Sequence, residues 1–403
     1  MKKSLTLLLL VFLAFPVLCG TKPYVILISY DGFRWDYLNR GLSPNLENIR
    51  NNGVSAISLR SAFPTKTFPN HQSIITGMYI ENHGIISNNF NDPWDKMPYG
   101  MKDTASIRDS RWYLGEAFWE TAERNNIKTA SYFWPGSEQH LSYSRPTYFE
   151  YYDHNQKYKQ KIGGIIDWLK LPQEKRPHFL TLYFHETDTY GHTFGPISEE
   201  TNNAIKYLDE AAGYLFNQLK DINLVDSVDV IFVSDHGMTE ISKDKMVNIE
   251  NLIKDYNCSF NDDGPFMQVE PPVNKRLEVY NVLKKNENHY KVYLKEEMPD
   301  YYHYSKNPFI SSIILVADLG WSLVTTKNTS WLLKAKGNHG YDNNQMDMHG
   351  IFLAIGPDFK HNYRTGTLWN IDIYPLLCKI FNIYPRSIID GRLERIEFIL
   401  NEK

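Results

Sequence analysis

Short apolar runs alternate with longer amphipathic stretches along most of the chain. The apolar runs have the length and composition of buried strands, and they lie at Tyr24–Tyr30, His178–Phe184, Val228–Ser234 and Ile351–Ile355. Amphipathic patterns typical of helices lie between them, at Ser43–Asn51, Trp112–Asn125, Glu199–Leu219 and Ile371–Phe381. Because strands alternate with helices, we predict an α/β fold with a mostly parallel central sheet and helices on both faces.

Residues 255–331 follow a different pattern. This region is rich in Tyr, Lys, Asn and Pro, and its short strand patterns lie at Arg276–Tyr280, Tyr290–Leu294 and Ile313–Ala317. No Gly/Ser-rich linker, charge block or internal repeat separates it from the rest of the chain. We therefore predict one domain over residues 21–403, with a smaller α+β insertion at about residues 255–331.

The amino-terminal segment has the pattern of a signal peptide. Two lysines precede an apolar run, Leu5–Leu18, which is too short to span a bilayer comfortably. We predict that residues 1–20 are removed and that the mature protein is secreted or periplasmic, without a transmembrane segment. Cys19 leaves lipid attachment open as an alternative.

Two cysteines remain after such processing, Cys258 and Cys378. An oxidising compartment permits a disulfide between them. The apolar surroundings of Cys378 suit a buried free thiol instead. Both alternatives fit the sequence.

The composition limits the class of partner. The chain has 403 residues, 42% of them hydrophobic, and its formal net charge is −4. It is long enough to build a large core, and it lacks the overall positive field that recruits nucleic acid. We therefore expect a monomer that acts on a small molecule and has no specific nucleic-acid binding. A phosphate-bearing substrate would need local positive charge, which metal ions supply.

Acidic and imidazole side chains follow the predicted strands. Asp31, Asp188 and Asp235 each come at or just after the carboxyl end of a strand, which is the edge where open α/β sheets bind ligands. Three histidines accompany them: His192 four residues after Asp188, His236 directly after Asp235, and His339 in an Asn-His-Gly segment. Each of these segments alone is also an ordinary turn or cap. Together they provide six ligands for transition metals.

A candidate nucleophile lies apart from these ligands. Thr67 precedes Pro69, and Asn70–Thr76 has the pattern of a helix. We predict that Thr67 caps this helix, where backbone N–H groups and the helix dipole favour an anion. The alternative is an ordinary N-cap threonine. Six metal ligands and one hydroxyl are what a two-metal phosphoryl-transfer site requires.

Five ordered motifs resemble the ectonucleotide pyrophosphatase/phosphodiesterase family of the alkaline phosphatase superfamily. They lie at Ser29–Asp36, Lys66–His71, Glu81–Ile85, Val233–Met238 and Gly337–Asp342. The resemblance extends from about Pro23 to Ile389, and it implies an alkaline-phosphatase-like fold. The chain is similar to a compact member that consists of the catalytic domain alone.

The resemblance implies a set of protein ligands for each of two Zn²⁺ ions. One zinc would be held by Asp188, His192 and His339, and the other by Asp31, Asp235, His236 and the Thr67 oxygen. Thr67 would attack phosphorus and form a phosphothreonine. The nearby residues His71, His83, His185, His349, Glu186 and Asp342 are predicted to be structural rather than ligands.

The resemblance also implies substrate contacts. Asn88 matches an asparagine that donates to a phosphoryl oxygen, with the Phe68 backbone N–H as its partner, and Asn89 is the alternative if the register shifts by one. Phe68 and Tyr183 match an aromatic pair that stacks a nucleobase, although Tyr183 lies in an apolar strand and fits core packing as well.

The function implied by the resemblance is hydrolysis of nucleotide phosphodiester or pyrophosphate bonds with release of nucleoside 5′-monophosphates. The same family includes enzymes with phospholipase C activity on choline lysophospholipids, and this is the alternative. The catalytic residues are shared, so the sequence does not discriminate between the two substrates.

Overall fold

The computed structural model describes residues 22–326, 329–386 and 388–402. The predicted signal peptide, with Cys19, lies outside these ranges. Within them, no helix combines the length and the apolar character that crossing a membrane requires.

An eight-stranded sheet forms the centre of the molecule. Numbered along the chain, its strands are β1 Tyr24–Tyr30, β2 Val54–Ala56, β3 Thr129–Tyr132, β4 Tyr148–Glu150, β5 Phe179–Phe184, β6 Val228–Val233, β7 Phe352–Ile355 and β8 Tyr363–Thr365. Their spatial order is β8-β2-β7-β6-β1-β5-β3-β4. All pairings are parallel except those of β7, which runs antiparallel to β2 and β6. The predicted mostly parallel sheet is confirmed.

Helices cover both faces of this sheet. The longer ones are α1 Pro44–Asn52, α2 Thr67–Thr76, α3 Phe118–Arg124, α4 Tyr158–Leu169, α5 Glu186–Phe194, α6 Glu199–Asp221, α7 Arg276–Lys285 and α8 Ile373–Ile380. Alternate residues of β1 point to opposite faces: Ile26 and Ile28 pack with α1, α4 and α6, whereas Val25 and Leu27 pack with α2, α3 and α8. Burial on both faces explains why the strands are almost continuously apolar.

One predicted helix is shorter than its pattern. The sequence predicts a helix over Trp112–Asn125, but Ser110–Trp112 is a 3-10 turn and α3 begins only at Phe118. The Leu114 N–H donates to the carbonyl of His83, which draws this part of the chain away from a helical course. A tertiary hydrogen bond therefore overrides the local pattern.

The helix that carries Thr67 begins at Thr67 itself, whereas the prediction made Thr67 the N-cap before the helix. Its N-cap is Lys66, which has extended backbone angles, and Thr67 is the first helical residue. The prediction that Thr67 caps the helix is wrong. Because Thr67 already lies in the first turn, its hydroxyl makes no capping bond and faces the polar centre described below.

The inserted region builds a second, smaller sheet. Its four strands are antiparallel in the spatial order Ser259–Asn261, Phe266–Glu270, Ile313–Ala317 and Tyr290–Leu294. Helix α7 packs on this sheet through Val279 and Leu283, which contact the same apolar cluster as Val292 and Leu315. The region therefore has its own core beside the main one.

One predicted strand of the insertion is a helix. Arg276–Tyr280 reads as a short alternating strand, but these residues are the first half of α7. Val279 and Leu283, four residues apart, are buried, whereas Leu277 is exposed. The apolar spacing is therefore helical, and a five-residue window was too short to reveal it.

Both cysteines are free thiols, so the disulfide alternative is wrong. Cys378 is buried among α8 and its neighbours, and Cys258 lies against the apolar cluster of the insertion. The two residues belong to separate cores.

The described chain also contains short α-helices and strands outside the two sheets. The helices are Ile80–His83, Thr104–Arg108, Ile249–Leu252 and Thr329–Leu332, and the strands are Leu59–Arg60, Asn89–Asn91, Pro98–Gly100, Thr239–Glu240, Met246–Asn248, Ser322–Val324, Gly337–Asn338 and Leu368–Trp369.

Candidate metal centre

Three residues meet at the carboxyl ends of two neighbouring strands. Asp31 follows β1, and Asp235 and His236 follow β6, which pairs directly with β1. His236 Nε2 lies 3.2 Å from Asp31 Oδ1 and 3.1 Å from Asp235 Oδ2. The Thr67 hydroxyl lies 3.2 Å from the same nitrogen. We call Asp31, Asp235, His236 and Thr67 the buried half-site.

Three further residues form a second group beside it. Asp188 and His192 lie one turn apart on α5, and His339 follows the short strand Gly337–Asn338. Asp188 Oδ1 lies 3.2 Å from His192 Nε2 and 3.4 Å from His339 Nε2. The four-residue spacing on a helix explains why Asp188 and His192 share a face. We call Asp188, His192 and His339 the open half-site.

The two half-sites form one continuous centre. The rings of His236 and His339 are stacked with centroids 3.4 Å apart. Ligand atoms of Asp31, Asp188 and His236 also lie within 4.8 Å of one another, so Asp188 borders both half-sites. All seven residues predicted to surround the metals therefore come together at one edge of the sheet.

The donor atoms suit divalent cations. Asp31 Oδ1, Asp188 Oδ1 and Asp235 Oδ2 are buried and have no hydrogen-bond partner among the described residues. Buried carboxylate oxygens left in this state are costly, and a bound cation satisfies them. These residues therefore fit a metal centre, and imidazoles with carboxylates favour a late transition metal such as zinc.

The histidine rings are oriented from behind. The Nδ1 atoms of His192, His236 and His339 lie 2.7–2.9 Å from the carbonyls of Gly337, Gly237 and Thr65, respectively. A nitrogen that faces a carbonyl must carry the proton, so each ring presents the Nε2 lone pair to the centre.

Crowded carboxylates shape the electrostatics of the centre. Burial, followed by the charges of Asp235 and Asp188, raises the pKa of Asp31 to about 7. Burial alone would also raise the pKa of Asp188, but the adjacent His192 and His339 outweigh it and lower that pKa. A cation between these carboxylates would relieve the repulsion.

His71 is structural, as its position beside the motif predicts. It is buried, with Nε2 2.9 Å from Ser29 Oγ and Nδ1 2.8 Å from the Thr67 carbonyl. Burial lowers its pKa to about 4. A neutral ring in this position supports the first turn of α2 rather than offering a ligand atom to the centre.

Asn88 lies next to the nucleophile segment. Its Oδ1 accepts from the Phe68 backbone N–H at 3.0 Å, which turns the amide group of Asn88 away from Phe68. The Phe68 N–H therefore bonds to Asn88 here, and the donation of both groups to a phosphoryl oxygen stays a prediction. Asn89 is exposed on the strand Asn89–Asn91, so Asn88 rather than Asn89 contacts the segment that carries Thr67.

Tyr183 lies almost fully inside the protein. It is buried in the main core, and its hydroxyl donates to Asp31 Oδ2 at 2.5 Å. This placement favours the packing alternative, with an added role in orienting Asp31. Tyr152 packs against the Tyr183 ring with centroids 6.0 Å apart and is 43% exposed. Tyr152 belongs to no recognisable motif, so nothing in the sequence marks this aromatic side chain at the mouth of the centre.

The model of the family "Type I phosphodiesterase / nucleotide pyrophosphatase" matches residues 25–342. The chain belongs to this family. Members are phosphodiesterases and nucleotide pyrophosphatases, so the protein is an enzyme of this class. The resemblance drawn from the five motifs is confirmed.

Curated relatives match most of the chain. A bis(5′-adenosyl)-triphosphatase enpp4 of Xenopus laevis is 37% identical over 90% of this chain and 79% of the relative. Ectonucleotide pyrophosphatase/phosphodiesterase family member 5 of Homo sapiens is 36% identical over 89% and 74%. A venom phosphodiesterase, CdcPDE of Crotalus durissus collilineatus, is 36% identical, but the match covers only 44% of its length.

Solved structures have the same architecture. Murine family member 5, described as an inactive threonine-to-alanine variant in complex with AMP, has a TM-score of 0.89 at 33% identity and covers 94% of this chain and 100% of its own. Human family member 5 has a TM-score of 0.89 at 34% identity, with the same coverage. The likeness confirms the predicted alkaline-phosphatase-like α/β fold.

Proposed function

We propose that this enzyme hydrolyses nucleotide phosphodiester or pyrophosphate bonds through a phosphothreonine at Thr67 and releases nucleoside 5′-monophosphates. The observation that carries the proposal is the position of the Thr67 hydroxyl, 3.2 Å from His236 Nε2 in the buried half-site. A relative in which a threonine is replaced by alanine is described as inactive, and it binds AMP. That description supports both the nucleophile and the class of product.

The reaction would proceed in two displacements. The Thr67 oxygen forms a bond to phosphorus while the bond to the leaving alcohol or phosphate breaks. Water then attacks the same phosphorus, breaks the Thr67–phosphorus ester and leaves as part of the monophosphate. Two zinc ions bound by the seven residues would lower the pKa of the hydroxyl and the water and would neutralise charge on phosphorus-bound oxygens.

The protein's own groups would orient these steps. The first turn of α2 fixes the Thr67 hydroxyl, and the Asn88 amide beside it would donate to a non-bridging phosphoryl oxygen. A donor held in place stabilises charge that develops in the transition state. Asp188, which is partly exposed, would face the side from which water approaches.

Substrate recognition would use aromatic faces at the mouth of the centre. Phe68 is half-buried beside Thr67, and Tyr152 is exposed next to Tyr183. We propose Phe68 and Tyr152 as the faces that hold a nucleobase, in place of the pair Phe68 and Tyr183. The relatives named above carry nucleotide rather than lipid names, so the lysophospholipid alternative is not favoured.

The nucleophile is tested with thymidine 5′-monophosphate p-nitrophenyl ester. Thr67→Ala should lower kcat/KM by at least about 10³-fold, because no second group replaces the attacking oxygen. Thr67→Ser keeps a hydroxyl and should retain measurable turnover. Chelation should abolish activity, and zinc should restore it. Turnover by Thr67→Ala at the wild-type rate would contradict the proposal.

The base platform is tested by pairing this ester with bis(p-nitrophenyl) phosphate, which has no base. Tyr152→Ala should raise KM for the nucleotide ester about 5- to 20-fold and leave the baseless ester unaffected, since stacking acts on the base alone. Tyr151→Ala removes an exposed neighbour that packs against Arg108, and it is the matched control. Equal effects on both esters would argue against stacking.

Location and assembly stay predictions. Secretion or periplasmic export would require cleavage near residue 20, which amino-terminal sequencing of the mature protein would detect. A monomer would elute at the mass of one chain.

A further inference from the structure

Asp262 links the inserted sheet to the nucleophile segment. Its Oδ1 accepts from Lys66 Nζ at 3.0 Å, and its Oδ2 accepts from the Ser87 hydroxyl. The side chains of Lys66 and Asp262 are only 8% and 5% exposed, so the contact is shielded from water. One carboxylate thus holds the residue before Thr67 and the residue before Asn88.

These two neighbours matter because Thr67 and Asn88 come from separate segments. Thr67 begins α2, and Asn88 lies in the chain that leads into the strand Asn89–Asn91. The described contacts between the segments include one direct bond, from the Phe68 N–H to Asn88 Oδ1. Asp262 adds a second tie, and its charge makes both hydrogen bonds strong.

The inserted sheet supports the Asn88 segment at another point. The Asn91 side chain donates to Asn261 Oδ1 at 2.7 Å, and Asn261 in turn donates to Ser311 Oγ. Asn261 is the last residue of the strand that precedes Asp262. The segment from Ser87 to Asn91 is therefore hydrogen-bonded to the edge of the inserted sheet at both of its ends.

Lys66 is also confined on its other side. Its alkyl chain crosses Gly340, where an added Cβ would lie 2.7 Å from Lys66 Cε. Gly340 follows His339, and its N–H donates to Thr65 Oγ1 at 2.9 Å. Lys66 is therefore held between the His339 loop and Asp262, with Thr67 attached directly to it.

The backbone at Asp262 is unusual. Its φ is +63°, a left-handed conformation that is uncommon for residues other than glycine. The loop is fixed in place by paired backbone bonds between Gly264 and Leu323. A strained conformation that the surroundings hold in place is typical of functional sites, and here it aims the carboxylate at Lys66 and Ser87.

We propose that Asp262 is a positioning residue for phosphoryl transfer, which sets the spacing between Thr67 and Asn88 by holding Lys66 and Ser87 together. The inference rests on the proposed function of Thr67 and Asn88. It makes the inserted sheet part of the catalytic apparatus rather than an appendage.

The main test compares Asp262→Asn with the wild type on thymidine 5′-monophosphate p-nitrophenyl ester. Asn keeps the shape but loses the charge and one acceptor, so both ties weaken. We expect kcat to fall about 10- to 100-fold, as for a small misplacement of reacting groups, while KM changes less than about threefold. Zinc content should equal that of the wild type. Unchanged kcat would overturn the proposal.

Glu270→Gln is the matched control. Glu270 lies in the same inserted sheet and accepts from the Ser312 N–H and hydroxyl, so the change weakens the sheet without touching the Thr67 segment. It should leave kcat unchanged. If the wild type and Glu270→Gln were both inactive on the ester, the proposed function would fail. A loss of kcat in Asp262→Asn but not in Glu270→Gln would support the positioning role of Asp262.

A double-mutant cycle separates positioning from general structural damage. If Asp262 acts through Asn88, the effect of Asp262→Asn should shrink to less than about threefold in an Asn88→Ala background. An undiminished effect would mean that Asp262 does not act through Asn88 and would overturn the proposal. Should Asp262→Asn fail to fold, Ser87→Ala removes only a hydroxyl, and unchanged kcat in that variant would overturn the proposal as well.

Discussion

The two half-sites use the same kinds of ligand but differ in their access to water. The side chains of Asp31, Asp235 and His236 are 0–2% exposed, whereas those of Asp188 and His192 are 19% and 26% exposed. The buried half-site holds the Thr67 hydroxyl, and the open half-site reaches solvent through Asp188 and His192, whereas its third member, His339, is only 4% exposed. The difference suits the proposed mechanism, in which the attacking oxygen of Thr67 would stay in a dry environment and the hydrolytic water would enter through the open half-site.

The origin of this difference lies in the fold. The buried half-site is built at the ends of β1 and β6, in the middle of the sheet, and α2 covers it. The open half-site is built from α5 and from the loop at His339, which lie above the sheet edge. The ligands from strand ends are dry and those from helix α5 are closer to solvent, whereas His339 on its loop is buried.

The largest expected effect follows from damage to the buried half-site. Asp235→Asn keeps the size of the side chain but removes the negative charge beside His236 that the proposed metal in this half-site would need. We expect kcat/KM to fall at least about 10³-fold, and excess zinc should not restore it. Steady-state kinetics with added zinc measures this. Recovery of full activity by added zinc would remove the distinction between the half-sites.

Damage to the open half-site should be smaller and reversible. His192→Asn would remove one ligand of the proposed metal site that lies nearer to solvent, so we expect a loss of about 10²-fold at limiting zinc. Excess zinc should recover much of that loss. Kinetics across a zinc titration gives the answer, and a loss as deep and permanent as that of Asp235→Asn would contradict the comparison.

In the metal-free protein, ionisation of Asp31 should lower the stability of the folded state as pH rises. Its folded pKa, about 7, lies above its ordinary value, so the native state binds more protons and stability is lost as pH rises from about 4 to 7. The melting temperature of metal-free Asp31→Asn should therefore be several degrees above that of the metal-free wild type at pH 8. At pH 4.5 the two melting temperatures should be about equal. Melting curves with chelator test this, and zinc should reverse the order at pH 8. An equal difference at both pH values would argue against the crowded carboxylates.

The smallest effect concerns a residue behind the buried half-site. Tyr183→Phe removes only the hydroxyl that donates to Asp31. We expect zinc affinity to fall about 10-fold, since partners that orient a ligand have effects of this size, with KM for the nucleotide ester unchanged. Competition with a chromophoric chelator measures the affinity. A rise in KM without a change in zinc affinity would instead favour the original stacking role of Tyr183.

Ligands at strand ends could be predicted from the sequence because their chemistry follows a local pattern. Asp31 and Asp235 each follow an apolar run, and parallel strands bring such positions to one edge. The Asp188–His192 pair follows from helical spacing. His339 could be recognised from its motif, but its position could not be predicted, because a loop has no regular repeat that fixes the direction of its side chains.

Contacts between distant segments could not be predicted in this way. Asp262 and Lys66 are 196 residues apart, and their pairing depends on how the inserted sheet docks. Tyr152 lies in a segment without regular structure, so neither period nor motif marks it. The helix at Arg276–Lys285 resembles a strand in its first five residues, and its helical spacing shows only over the full ten. Local periodicity predicts helices, strands and the positions of strand ends. The packing of distant segments against one another decides which other side chains reach the site.

Anomalous diffraction from zinc-soaked crystals tests the central claim most directly. Two peaks about 4 Å apart are expected, as in other two-metal sites. One should be enclosed by Asp31, Asp235, His236 and the Thr67 oxygen, and the other by Asp188, His192 and His339. A single peak, or a peak away from Thr67, would contradict it.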